Sequence, residues 1–137
     1  MRRLYRNALS ENDINYLKNS NVKFGRINKD KNPVVDKVLK LISSEFEFKV
    51  KDESYFRIEQ TLESGHPWHV DTGSNNHMLW CQVGLSVILA SDCEGGETEY
   101  EDGVVNRGVG DLIVHTSDVK HQVRPFKGYR LTFLMFI

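Results

Sequence analysis

A chain of 137 residues has room for one ordinary domain and none for separate cofactor and substrate modules. Its 39% hydrophobic and 27% charged residues suit a folding globular protein, and 18 basic against 19 acidic side chains leave a net charge of −1, no overall field to hold a polyanion or an anionic membrane. No apolar run approaches the roughly 18 residues of a membrane span, Met1 to Asn7 lacks the apolar stretch of a signal peptide, and Cys81 and Cys93 are too far apart for a CxxC pair. The expectation is a cytoplasmic protein with two reduced thiols.

Ser10-Glu11-Asn12-Asp13 predicts a helix start, with a capping hydroxyl and acidic residues at the positive end of the dipole, and Ile14 and Leu17 facing inward. Asn32-Pro33 predicts a second, in which Val34, Val35, Val38, Leu39 and Ile42 recur at helical spacing until Ser43-Ser44. From Glu45 the texture changes to short aromatic and β-branched runs separated by Gly, Asp, Asn and Ser. Strands are expected over Tyr55 to Leu62, Met78 to Leu89, Glu97 to Tyr100, Leu112 to His115 and Arg130 to Ile137, with a turn at Glu101-Asp102-Gly103. That spacing predicts a mainly β, α+β domain: a sandwich or barrel buttressed from outside by the two helices.

Phosphate-loop, GxSxG and HExxH motifs are absent. His69 and Asp71 stand two apart, so on extended chain they share a face and can chelate a metal. A two-histidine, one-carboxylate triad needs a second imidazole, and His77, His115 and His121 are the candidates. In the final strand Arg130 and Thr132 alternate onto one face. A guanidinium fork beside a hydroxyl is a well-shaped receiver for a carboxylate, and a buried arginine in an otherwise apolar strand needs an anion.

His69-Val70-Asp71, the distal His121 and then Arg130 resemble the iron(II)- and 2-oxoglutarate-dependent oxygenases, specifically their prolyl-4-hydroxylase-like branch. Glu94-Gly95-Gly96-Glu97-Thr98 looks like that family's EGGEL turn, Gly110 to Val114 like the strand before the distal histidine, and His121 to Thr132 follows H-x-V-x-P-x-x-x-G-x-R-x-S/T. The likeness covers roughly residues 55 to 137, in order, and the conjunction is far more specific than any one piece. It implies a double-stranded β-helix, or jelly roll, over residues 51–137, with residues 1–50 as a helical buttress. It implies His69, Asp71 and His121 as iron ligands, and Arg130 helped by Thr132 on the far carboxylate of 2-oxoglutarate. The implied reaction consumes dioxygen, splits 2-oxoglutarate into succinate and carbon dioxide, and hydroxylates a substrate C–H; ascorbate is a compatible accessory.

Two departures stand out. His66 occupies the place where relatives often carry a tyrosine that contacts 2-oxoglutarate, and an imidazole can donate the same hydrogen bond. The run Gly84 to Leu89 lacks a tyrosine that some members place there. Trp68 and Trp80 are read as packing near the barrel mouth, and the Gly73 to His77 loop as polar, with His77 solvated. The expected substrate is a peptidyl or free amino-acid side chain, proline first, or another small molecule. A nucleobase is disfavoured, because Met1 to Arg6 and Lys29 to Lys31, the basic segments, precede the barrel. A catalytically inert jelly-roll binding module is the competing class. The sequence indicates neither a membrane partner nor an oligomeric state.

Overall fold

The computed structural model describes residues 1–72 and 78–137; the Gly73 to His77 loop, and with it the reading of His77, lies outside the described residues. Helix α1 spans Glu11–Lys18. Ser10 accepts from the Asp13 amide while the Asp13 carboxylate accepts from the Ser10 amide, closing a capping box. Helix α2 spans Pro33–Ile42, and the Asn32 side chain accepts from the Val34 and Val35 amides. A Lys37–Asp13 ion pair ties the helices together.

The described residues form ten strands: β1 (Arg2–Tyr5), β2 (Phe24–Arg26), β3 (Tyr55–Gln60), β4 (His66–His69), β5 (Val83–Gly95), β6 (Thr98–Tyr100), β7 (Gly103–Val105), β8 (Leu112–Thr116), β9 (His121–Val123) and β10 (Phe126–Phe136). They form a large sheet ordered β1-β8-β5-β10-β3-β2 and a small one ordered β4-β9-β6-β7, with all pairs antiparallel. Residues 1–50 thus supply, beside the two helices, both edge strands of the large sheet.

The period of two divides each central strand of the large sheet between two environments. Val83, Val87 and Leu89 of β5, Leu112 and Val114 of β8, and Phe133 and Met135 of β10 join Leu17, Val34, Val38 and Ile42 of the helices in one apolar core. The residues between them, Ser86, Ile113, His115, Thr132, Leu134 and Phe136, line a cavity. In the pairing of β10 with β5 the register shifts between Leu131 and Thr132, so one residue of β5 is extra. The extra residue is Leu89, and the bulge falls opposite the stretch of β10 between the cavity-lining Arg130 and Thr132.

Boundaries differ from the sequence expectation for local reasons. The central strand starts at Val83 rather than Met78, because Met78 to Trp80 make a turn with Met78 at φ 52° and the Cys81 amide donates to the Met78 carbonyl. It runs on through Gly95, past the expected end at Leu89. Strand β10 begins at Phe126, and Leu62 lies beyond the end of β3, 75% exposed. No helix among the described residues is long and apolar enough to cross a membrane.

Candidate metal centre and carboxylate site

His69 closes β4 and His121 opens β9, and the two face each other across the antiparallel ladder. Asp71 follows two residues on, where its amide donates to the Ser117 carbonyl beyond β8. The strand pairing and this anchor bring the three side chains together, with one ligand atom from each lying within 4.8 Å of the others. Asp71 Oδ1 is 3.6 Å from His69 Nε2 and 3.4 Å from His121 Nε2. Each imidazole is oriented by its other nitrogen: His69 Nδ1 lies 2.6 Å from the Pro67 carbonyl and His121 Nδ1 2.9 Å from that of Val119. Because a carbonyl only accepts, Nδ1 carries a proton in both rings, and in that tautomer Nε2 is the nitrogen available to a metal.

Electrostatics agree with that assignment. Burial, with the neighbouring His115 ring, pushes His121 well below the ordinary imidazole value, so it is neutral near pH 7. Burial opposes ionisation of Asp71, but the hydrogen bond from His115 and the surrounding imidazoles outweigh it and hold the carboxyl below its usual range. Two imidazoles and one carboxylate suit a divalent first-row metal. His115, weighed from sequence as an alternative donor, instead directs Nε2 at Asp71 Oδ2 at 2.8 Å.

The cavity beside this group has a volume of about 240 Å³ and is lined by residues of both sheets. Arg130, 4% exposed, reaches it and donates from Nη1 to Thr61 Oγ1 at 2.9 Å; Thr132, 1% exposed, lines it too. Gly96, at φ 76°, makes the turn before β6, and a Cβ there would lie 3.2 Å from Arg130 Cδ, so the glycine serves both the turn and the guanidinium's stem. His66 also lines the cavity, with Nε2 3.0 Å from Glu59 Oε1, a bond that holds the Glu59 carboxyl below its usual value.

The sequence reading passed over one cation. Arg107 donates from Nη1 to the Ser86 carbonyl at 2.7 Å and from Nη2 to Thr98 Oγ1 at 3.0 Å, and with Arg130 it lines an adjoining pocket. Burial, then the charge of Arg130, pushes Arg107 down to about 9, which leaves it a cation at neutral pH. Among the described residues no carboxylate lies within 4 Å of either guanidinium. Arg107 is half-buried on the irregular segment between β7 and β8, and an arginine beside a glycine there carries no sequence signal of that placement. Trp80 packs edge-on to Tyr55, whereas Trp68 is 41% exposed beneath Lys120.

No family model and no curated protein matches the sequence. Solved structures do match the fold. A Pseudomonas putida prolyl-4-hydroxylase aligns over 99% of this chain and 83% of its own, with TM-score 0.70 and 15% identity. HygX from Streptomyces hygroscopicus, solved with nickel and 2-oxoglutarate bound, gives TM-score 0.66 and 13% identity over 98% of this chain and 80% of that one. The fold is that of the 2-oxoglutarate oxygenases. A Trichoplax adhaerens prolyl hydroxylase, in complex with a hypoxia-inducible-factor peptide fragment, aligns over 98% of this chain and 82% of its own at TM-score 0.64 and 12% identity. In this chain residues of both sheets line the cavity, and α1 and α2 pack against the other face of the large sheet.

Proposed function

We propose that this protein is an iron(II)- and 2-oxoglutarate-dependent oxygenase that hydroxylates an amino-acid side chain, free or in a peptide, and releases succinate and carbon dioxide. One observation carries the reading. The three donor atoms of His69, Asp71 and His121 converge beside a cavity that also holds an arginine with no carboxylate partner among the described residues. One part of the cavity calls for a cation and another for an anion, and a 2-oxo dicarboxylate with a metal supplies both.

His69 and His121 would offer Nε2, and Asp71 Oδ1, to iron(II), which when bound supplies dioxygen activation. Arg130 and Thr132 would take the far carboxylate of 2-oxoglutarate, with Arg107 adding a second positive charge. His66 lines the same cavity, but its Nε2 is engaged by Glu59, which leaves only Nδ1 to face a ligand. The apolar wall of Leu134, Ile113 and Phe136 keeps water from the reacting atoms.

Two observations favour a peptide or amino acid over a nucleobase. The Trichoplax relative was solved with a peptide. Two of the basic side chains are balanced by neighbouring carboxylates, Arg57 lying 3.8 Å from Glu59 and Arg124 4.0 Å from Glu99, and the unpaired Arg107 and Arg130 line pockets rather than a surface row that would track a phosphate backbone. We place the protein in the cytoplasm on its free cysteines: Cys81 is buried and its thiol pushed up to about 12 by that burial, which leaves it unreactive.

The test is succinate release by the iron-loaded protein, with proline-containing peptides, free amino acids and single-stranded oligonucleotides as separate arms. Stimulation by a peptide or amino acid supports the reading. Stimulation by oligonucleotide alone overturns the substrate class. Iron and 2-oxoglutarate binding without turnover on any arm marks a binding module.

A further inference from the structure

His115 is a polar ring on β8, a strand whose other four residues are Leu112, Ile113, Val114 and Thr116, and it is 5% exposed. Both of its nitrogens are engaged. Nε2 lies 2.8 Å from Asp71 Oδ2 and Nδ1 2.8 Å from the Tyr100 hydroxyl. An ionised carboxylate only accepts, so Nε2 bears a proton, and in the Nε2–H tautomer Nδ1 accepts from the phenol. In that tautomer donation runs one way, from Tyr100 through His115 to Asp71. Tyr100 belongs to β6 of the small sheet and His115 to β8 of the large one, so the chain of bonds crosses between the two sheets. The guanidinium of Arg2 sits over the Tyr100 ring, 4.2 Å from its centre, and backs it from outside.

A third residue shows that space is kept for this arrangement. Gly84 lies opposite His115 in the β5–β8 ladder, and a Cβ there would fall 2.0 Å from Asp71 Oδ2 and 3.3 Å from His115 Nε2. The glycine has no positive φ to explain it, so the need is steric. Meanwhile Asp71 Oδ1 faces the Nε2 atoms of His69 and His121. The two carboxylate oxygens thus have different tasks. Left free, a carboxylate can ligate through either oxygen or both.

We propose that Tyr100 and His115 are positioning residues of the metal centre: His115, braced by Tyr100, occupies Oδ2, so that Asp71 ligates through Oδ1 alone and His115 is kept from ligating itself. The inference rests on reading His69, Asp71 and His121 as metal ligands. It adds a relay that makes Asp71 a one-oxygen ligand, with Gly84 as the space that relay requires. Partners one step behind the ligands commonly set metal affinity by 10- to 100-fold.

Calorimetric titration of the metal-free full-length protein with Mn²⁺ tests it, alongside the visible spectrum of the Co²⁺-loaded protein, which reports donor number and geometry. His115→Phe is expected to weaken Mn²⁺ by about 10- to 100-fold and to change the Co²⁺ spectrum. His115→Gln, whose amide can still donate to Oδ2, should recover part of the loss. Tyr100→Phe should cost less than His115→Phe. The double variant Tyr100→Phe/His115→Phe should bind no more weakly than His115→Phe, since the phenol acts only through the imidazole. Gly84→Ala should weaken Mn²⁺ while leaving His115 in place. Unchanged affinity and spectrum in His115→Phe, or additive losses in the double variant, would overturn the relay and leave the metal centre standing. Should His115→Phe not fold, unchanged binding in both Tyr100→Phe and His115→Gln would overturn it equally. Failure of the unsubstituted protein to bind Mn²⁺ would remove the centre, and the relay with it.

Discussion

Strands β5 and β10 of the large sheet run for 13 and 11 residues, whereas every strand of the small sheet has three or four. The long strands bury one full row of side chains under α1 and α2; the short ones are held by hairpins and by bonds to neighbouring loops. Both metal-facing imidazoles nevertheless sit on the small sheet, and Arg130 with Thr132 on the large one. Burying a guanidinium without a carboxylate is costly, and the sheet with the surplus of apolar burial bears that cost. An imidazole, which need not be charged, costs less to hold than a buried guanidinium, so a thin sheet suffices to present the pair.

Substitutions that separate binding from stability can break this comparison. The largest effect is expected from His121→Ala: Mn²⁺ affinity down by more than about 100-fold and succinate release undetectable, with the thermal midpoint of the metal-free protein little changed. Phe133→Ala, at a fully buried position in the helix-facing row, should cost about 3–5 kcal/mol in denaturant unfolding and leave Mn²⁺ affinity intact. An equal loss from Val105→Ala, in the half-buried edge of the small sheet, would refute the assignment of stability to the large sheet.

Arg130→Ala should weaken 2-oxoglutarate by about 2–5 kcal/mol in calorimetry, with lysine recovering only part because one ammonium cannot reproduce the fork. Unchanged affinity would place the carboxylate receiver elsewhere, with Arg107 the first alternative. A smaller effect is expected at Asp111, which accepts from Arg6, the Asn7 amide and the Gly108 amide and so ties the end of β1 to the start of β8. Burial opposes its ionisation, but these bonds outweigh it and hold the carboxyl below the usual range. The folded value being the lower one, the stabilisation is complete above the ordinary carboxylate pKa of about 3.9 and is lost as pH falls through the depressed value. Asp111→Asn should therefore cost roughly 1–3 kcal/mol at pH 7, and the difference from wild type should shrink in acid unfolding experiments. Trp68→Ala, on the exposed rim, should change stability by no more than about 0.5 kcal/mol; a large loss would mean that the small sheet depends on its surface.

The helices were legible because their signals are local. Ser10 and Asn32 cap the turns that immediately follow them, and the apolar spacing of α2 repeats within ten residues. The long central strands were legible for the same reason, through alternation that persists. Strands β1, β2, β4, β7 and β9 were not, since three or four residues are too few for a period of two to stand out. The edge strand β1 exists because β8 offers it a ladder and because Arg2 binds Asp102, a partner far away in the chain.

His69, Asp71, His121 and Arg130 could be chosen from the sequence because their types and order are unusual together, and chemistry restricts what such a set can hold. Which face each presents, and to whom, was decided by the tertiary structure. His115 looked like a rival ligand until the β5–β8 ladder placed it over Gly84 and against Asp71. Arg107 had no signal until the chain folded it beside Arg130. Residue type and local spacing set which groups can bond; only the packing of two sheets sets the distances of a few ångströms at which they do.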